Sequence, residues 1–298
     1  MENKNQPAEL QSLVSLLDDP DEEVFENVFN RLVEYGPAVI PSLENEWMHN
    51  LDEMVQERLE NLIHTIQFDY VKSELKTWVL NESNNLLKAL LIINKYQFAD
   101  ADNQKIIEQI ESLKKNIWME LNYQLTPLEQ VRVFNLIFFK HSNYQPNIEN
   151  IYDPKNNFLS HILDTKKSNP IGMGLLYLLL AQQLRMPVYG VCLKRYFILC
   201  LIDADVFHAD TGMINKNDIL FYINPYNKGA IFRIDEIHAY LRRMKLEAKH
   251  QYFYPANNIE IVNELLSIIA QNYEMQQQQE KVEEILFLKS LLSNKKSG

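Results

Sequence analysis

Two thiols and seven imidazoles are the side chains through which this 298-residue chain could do covalent chemistry. A thiol beside an imidazole, with a carboxylate to orient the ring, is the machinery of acyl transfer. The thiols are Cys192 and Cys200, both inside apolar runs of strand character, where cysteine packs as a small hydrophobe. His208 and Asp210 stand two residues apart on a strand-like segment and would share a face, as a base and its orienting acid do. No thiol or hydroxyl adjoins them in sequence, so a solvent-facing strand edge explains the pair more simply. His49, His64, His141, His161, His238 and His250 show no ligand spacing, and neither C-x-x-C nor H-E-x-x-H occurs. No metal and no cofactor is expected.

The elements that must position these residues are mostly helical. Only 7 glycines are present, which argues against a turn-rich sandwich or propeller. Two cysteines are too few for a disulfide framework and suit a reducing compartment. The N-terminus lacks the apolar core of a signal peptide. The longest apolar runs, 86–93 and 171–181, are too short to cross a bilayer, so a cytoplasmic location is expected. Charge is uneven: residues 1–66 carry 3 Lys/Arg against 15 Asp/Glu, while the remainder is nearly balanced. An acidic front lobe disfavours nucleic acid and anionic membrane as partners.

Three regions follow along the chain. Residues 1–67 read as short amphipathic helices, with Asp19 as an N-cap before Pro20, and Gly36 ending the second helix. Residues 68–256 begin with further helices, including a start at Thr126-Pro127 with Glu129 placed for a capping box. Residues 143–157, rich in asparagine, read as an ordered loop. Ser168-Asn169-Pro170 then caps a helix that is apolar on nearly all sides and therefore buried. Strand-like segments follow at Val188–Leu193, Tyr196–Ile202, 206–209 and 219–223. A helix followed by a meander of short strands predicts an α+β fold, predominantly helical, with a small antiparallel sheet packed on the central helix. Residues 257–298 form a helical hairpin that cannot bury its own face and should dock on the core.

Two resemblances enter on particular residues. The run LLDDPDEEVFENVFNRLVEYGPAVIPSLENEW, at 16–47, resembles a HEAT repeat. The stretch YDPKNNFLSHILDTKKSNPIGMGLLYLLLAQQLRMPVYGV, followed by YFILC and FYINPYNKGAIF, resembles the SirB family of bacterial transglutaminase-like proteins. That likeness covers roughly 125–290 and implies a degenerate transglutaminase-like core with a tetratricopeptide-like hairpin behind it.

The resemblance also implies where a triad would stand. Registering Leu184-Arg185-Met186-Pro187 on the segment that ends the central helix in active relatives puts Pro170 at the thiol position. Tyr196 stands where relatives often carry the base histidine, and Asn224 where they carry the orienting acid. Proline has no nucleophile, tyrosine is a poor base near neutral pH, and asparagine cannot stabilise an imidazolium by charge. Lys166, Lys167, Lys194 and Arg195 would then lie near the mouth of the emptied site. With Ser168, Asn169 and Tyr226 they could line a binding cleft.

Three functions remain in order of expectation. The first is a non-catalytic interaction or regulatory scaffold for a protein partner. The second is an amide hydrolase or transferase with a rearranged site around Cys192, His208 and Asp210. The third is a binder of a small anionic ligand in the vestigial cleft. The aromatics Tyr226, Phe232, Tyr252, Phe253 and Tyr254 read equally as interface anchors or as core.

Overall fold

The structure is a computed structural model that describes residues 6–122, 124–193, 196–203 and 218–293. The chain divides into two compact units, Met1–Leu75 and Lys76–Gly298. The candidate strand at 206–209 lies outside the described residues.

The first unit is built from α1 (Gln6–Val14), α2 (Glu22–Tyr35), α3 (Ile40–His49) and most of α4 (Glu53–Thr77). Apolar residues at helical spacing supply its core, with Leu17, Leu32, Leu43, Leu59 and Leu62 fully buried. The cap of α2 corrects the sequence reading. Asp21, not Asp19, accepts from the Glu23 amide and starts the helix, while the Asp19 carboxylate accepts from the Asp21 amide. Each aspartate accepts two residues ahead, so the turn runs on past Pro20 before the helix begins. Gly36 ends α2 at φ +65, the left-handed backbone that glycine adopts without a Cβ penalty. Arg58 ties the turn to α4. It donates to the carbonyls of Leu17 and Asp19 at 3.0 and 2.9 Å and lies 4.1 Å from the Phe25 ring centre.

The second unit opens with α5 (Leu86–Gln97), α6 (Asn103–Glu120) and α7 (Pro127–Asn135). Thr126 caps α7 in a full capping box with Glu129, as its sequence predicts. Strand β1 (Gln145–Pro146) pairs in parallel with β2 (Lys167–Ser168), on either side of α8 (Leu159–Thr165). The central helix α9 (Pro170–Gln183) buries every residue from Ile171 to Ala181. A four-stranded antiparallel meander follows: β3 (Val188–Leu193), β4 (Tyr196–Ile202), β5 (Ile219–Asn224) and β6 (Ala230–Phe232), in that spatial order. The α+β expectation, helix-dominated with a small antiparallel sheet against the central helix, is what the structure shows.

Strand β4 is buried from Phe197 to Ile202 because both its faces are covered. Phe197 packs on α9, while Ile198, Cys200 and Ile202 join a second core under α10 (Ile234–Arg243). A strand roofed on both sides needs no polar face, so it reads as a continuous apolar run. Tyr252 and Phe253 belong to that second core, and Phe232 and Tyr254 pack against it. Packing in or against this core accounts for all four aromatics.

The C-terminal hairpin, α11 (Asn258–Met275) and α12 (Gln279–Leu291), docks on the same unit. Tyr96 on α5 donates to Glu284 at 2.7 Å, Tyr273 donates to Gln97 at 2.6 Å, and the Asn258 amide donates to the Ser83 carbonyl at 3.0 Å. No helix among the described residues is long and apolar enough to cross a membrane.

Candidate functional site: the cleft at the start of the central helix

The loop before α9 holds its start in place through asparagine amides. Asn169 accepts from the Gly172 amide at 2.9 Å and donates to Asn157 at 2.8 Å; Asn157 in turn donates to the Pro154 carbonyl at 2.8 Å. Asn156 donates to the Asn150 carbonyl at 2.7 Å and accepts from Asn147 at 3.0 Å. Ser168 is fully buried and donates to the Asn156 carbonyl at 2.8 Å. Short polar side chains that bond nearby backbone let a loop run under the surface without orphaned polar groups. The asparagine-rich segment at 143–157 is therefore the ordered brace of the central helix. Ser168 and Asn169 spend their polar atoms on this brace.

A cleft of about 320 Å³ opens at the helix start. Its lining includes Asn169, Pro170, Tyr196 and Tyr226, with Met244, Gln271 and Asn272. Tyr196 is 41% exposed and meets Tyr240 edge to face, with ring centres 5.4 Å apart. Tyr226 donates to the Asn147 carbonyl at 3.3 Å, and burial, with Tyr196 close by, pushes its phenol above the ordinary range. Of the three positions that the resemblance marks as an emptied triad, the structure brings Pro170 and Tyr196 together. Asn224 is engaged elsewhere. Its side chain accepts from the Asn227 amide at 3.2 Å and caps the short 3₁₀ turn Pro225–Asn227.

The remaining candidates fall elsewhere or outside the described residues. Lys167 is exposed on β2 and is not a lining residue of the cleft. Lys194, Arg195, His208 and Asp210 lie outside the described residues. Cys200 sits in the core under α10, where burial pushes its thiol up to about 12. Cys192 faces the Glu260 carbonyl of α11, and burial, then the nearby Glu264 and Glu260 carboxylates, raise its thiol strongly. A thiol that holds its proton is neither a nucleophile nor a metal ligand. No group of three metal-binding side chains occurs among the described residues.

Met244, Gln271 and Asn272 are lining residues that sequence reasoning missed, and Asn272 is the buried polar one. It lies on the same stripe of α11 as Ile261, Leu265 and Ile268, and is only 3% exposed. Its Nδ2 is buried and has no hydrogen-bond partner among the described residues. An asparagine recurring on the apolar stripe of an amphipathic helix was the available signal. A larger open groove of about 1050 Å³, lined by Lys114, Lys115, Trp118 and Arg185, lies between α6 and the end of α9, at the far end of that helix from Pro170.

Comparison with known proteins agrees with this core. The family model described as transglutaminase-like superfamily matches residues 104–267, which takes in α6 through most of α11. A UPF0162 protein of Xylella fastidiosa (strain 9a5c) is 23% identical over 163 residues, 54% of this chain and 53% of that protein. A UPF0162 protein of Vibrio cholerae is 22% identical over 191 residues, 63% of this chain and 66% of that protein. One from Buchnera aphidicola is 26% identical over 168 residues, 54% and 57% of the two chains. The chain spans about half the length of the Xylella relative. No solved structure matches it. The matched stretch holds the buried helix, the meander and the cleft residues from Ile151 to Met244, and covers more than half of the sequence: the chain belongs to the transglutaminase-like superfamily.

Proposed function

We propose that this protein is a non-catalytic member of its superfamily, a binding or regulatory scaffold for a protein partner in the cytoplasm. One observation carries the reading. The cleft that brings together Pro170 and Tyr196, the positions where the resemblance would put a thiol and an imidazole, is lined, among its described residues, by proline, tyrosines, aliphatic side chains and amides. None of these attacks a carbonyl or takes a proton from a nucleophile near neutral pH.

The flanks support the same reading. The HEAT-like front lobe and the tetratricopeptide-like hairpin are of kinds that present concave faces to other proteins. The likeness to the SirB family is consistent with a core kept for its shape. In the acidic front lobe, Met48 in the last turn of α3 and Leu51 in the segment joining α3 to α4 are 65% and 94% exposed, apolar side chains of the sort that protein contacts cover.

The test is a search for turnover. The full chain is incubated with peptide amides, with glutamine-containing protein plus a primary amine, and with a thiol-directed covalent probe. The expected result is no hydrolysis, no amine incorporation and no stoichiometric labelling. Turnover abolished by Cys192→Ala or His208→Ala would replace this reading with an enzyme built on a rearranged site.

A further inference from the structure

We propose that the cleft at the start of α9 receives an uncharged aromatic group whose neighbouring carbonyl oxygen accepts from Asn272. This deepens, and rests on, the reading that the cleft binds without reacting.

Three observations lead there. The described lining carries no charged side chain, so an ion entering it would lose its hydration without a counter-charge. The third function raised by the sequence, a small anionic ligand, therefore finds no support in that lining. Three tyrosines, Tyr152, Tyr196 and Tyr226, are among the lining residues, and aromatic rings pair favourably with another ring. A volume of about 320 Å³ lies at the small end of ligand sites, the size of a single ring with its adjoining amide rather than of a nucleotide.

The decisive group is the Asn272 amide. It is buried, lines the cleft, and has a donor with no partner among the described residues. Burying an unpaired donor destabilises a fold, so an asparagine on an otherwise apolar stripe needs a compensating acceptor. The other asparagine of the cleft cannot take this role, because Asn169 has both amide atoms engaged with Gly172 and Asn157. Pro170 has no N–H to offer. Gln271 also lines the cleft, but it is exposed and its amide can bond solvent; the buried donor that wants an acceptor is that of Asn272, and an amide carbonyl beside an aromatic ring matches it. That chemistry is shared by a phenylalanine or tyrosine residue in an extended peptide and by a free aromatic amide.

The experiment titrates the full chain by NMR with N-acetyl-phenylalaninamide, with the N-acetyl amides of glutamate and lysine, and with a heptapeptide centred on phenylalanine. The neutral aromatic amide should bind at least tenfold more tightly than either charged one. A heptapeptide tenfold tighter than the amide assigns a peptide ligand; equal affinity assigns a small molecule, and both support the shared chemistry. Asn272→Leu should weaken binding at least tenfold while leaving the melting temperature of the free protein unchanged or higher. Tyr196→Ala, at a half-exposed position, should weaken it several-fold without unfolding the chain. The inference is overturned if the neutral amide does not bind, if a charged probe is preferred, or if Asn272→Leu lowers the melting temperature and leaves affinity intact. Cleavage of the bound amide would instead overturn the non-catalytic reading itself.

Discussion

The ring of Phe197 occupies the space that a side chain on Gly174 would need: a Cβ there would stand 2.4 Å from its Cδ1. Gly190 on β3 closes the other side, where a Cβ would stand 2.6 Å from Cζ of the same ring. The helix and the sheet approach closely because two glycines leave a slot and one phenylalanine fills it. Gly174→Ala should therefore cost about 1–3 kcal/mol through overpacking. Phe197→Leu in the same chain should recover part of that loss, a non-additivity that urea denaturation of the four chains measures. Independent, additive losses would refute the slot.

A second buried linkage joins three elements through Asn135. Its Oδ1 accepts from the fully buried Tyr177 hydroxyl at 3.0 Å, and its Nδ2 donates to the Gly229 carbonyl at 3.0 Å. Asn135→Ala strands the Tyr177 hydroxyl and should cost about 1–3 kcal/mol or more. Tyr177→Phe should be less harmful in that background than in the wild-type protein, since the hydroxyl has already lost its acceptor. A fluorescence-monitored double-mutant cycle decides the matter.

Stability should fall in alkali through the buried thiols. Burial raises Cys200 from its ordinary 9.0 up to about 12, and raises Cys192 as well. Between those values the unfolded chain has released protons that the folded chain still holds. The stabilisation is thus complete below about 9 and is lost as pH rises toward 12. The urea midpoint should drop from pH 8 to pH 11, and Cys200→Ala should shallow that drop. Both thiols should react with maleimide far more slowly in the native protein than in urea.

Helix starts offer a more local test. Asp21→Ala should cost about 1 kcal/mol by removing the side chain that accepts from Glu23. Thr126→Ala should cost a similar amount by breaking the box with Glu129. Circular dichroism during thermal unfolding would register both. An Asp21→Ala chain as stable as the parent would return the cap of α2 to Asp19.

Much of the fold was legible because short-range patterns encode it. Thr126-Pro127 with Glu129 announced a helix start, Gly36 a helix end, and the all-apolar 171–181 a central position. The cap of α2 was misplaced by two residues because Asp18, Asp19 and Asp21 are chemically alike, and only the backbone path of the turn chooses among them. The aromatics at 252–254 could not be assigned from sequence, since a ring that anchors an interface and one that fills a core are the same residue.

The sequence by itself determined the helical bias, the meander after the central helix, and the want of a nucleophile at Pro170, because side-chain chemistry and periodicity are properties of the chain. Tertiary structure alone decided that Tyr196 and Tyr226 share a cleft with Asn272, and that Asn224 serves its own turn instead. Those residues are brought together by the docking of α11 beside the sheet. A contact across some seventy residues of chain leaves no trace in local spacing; it exists only once the buried surfaces have chosen each other.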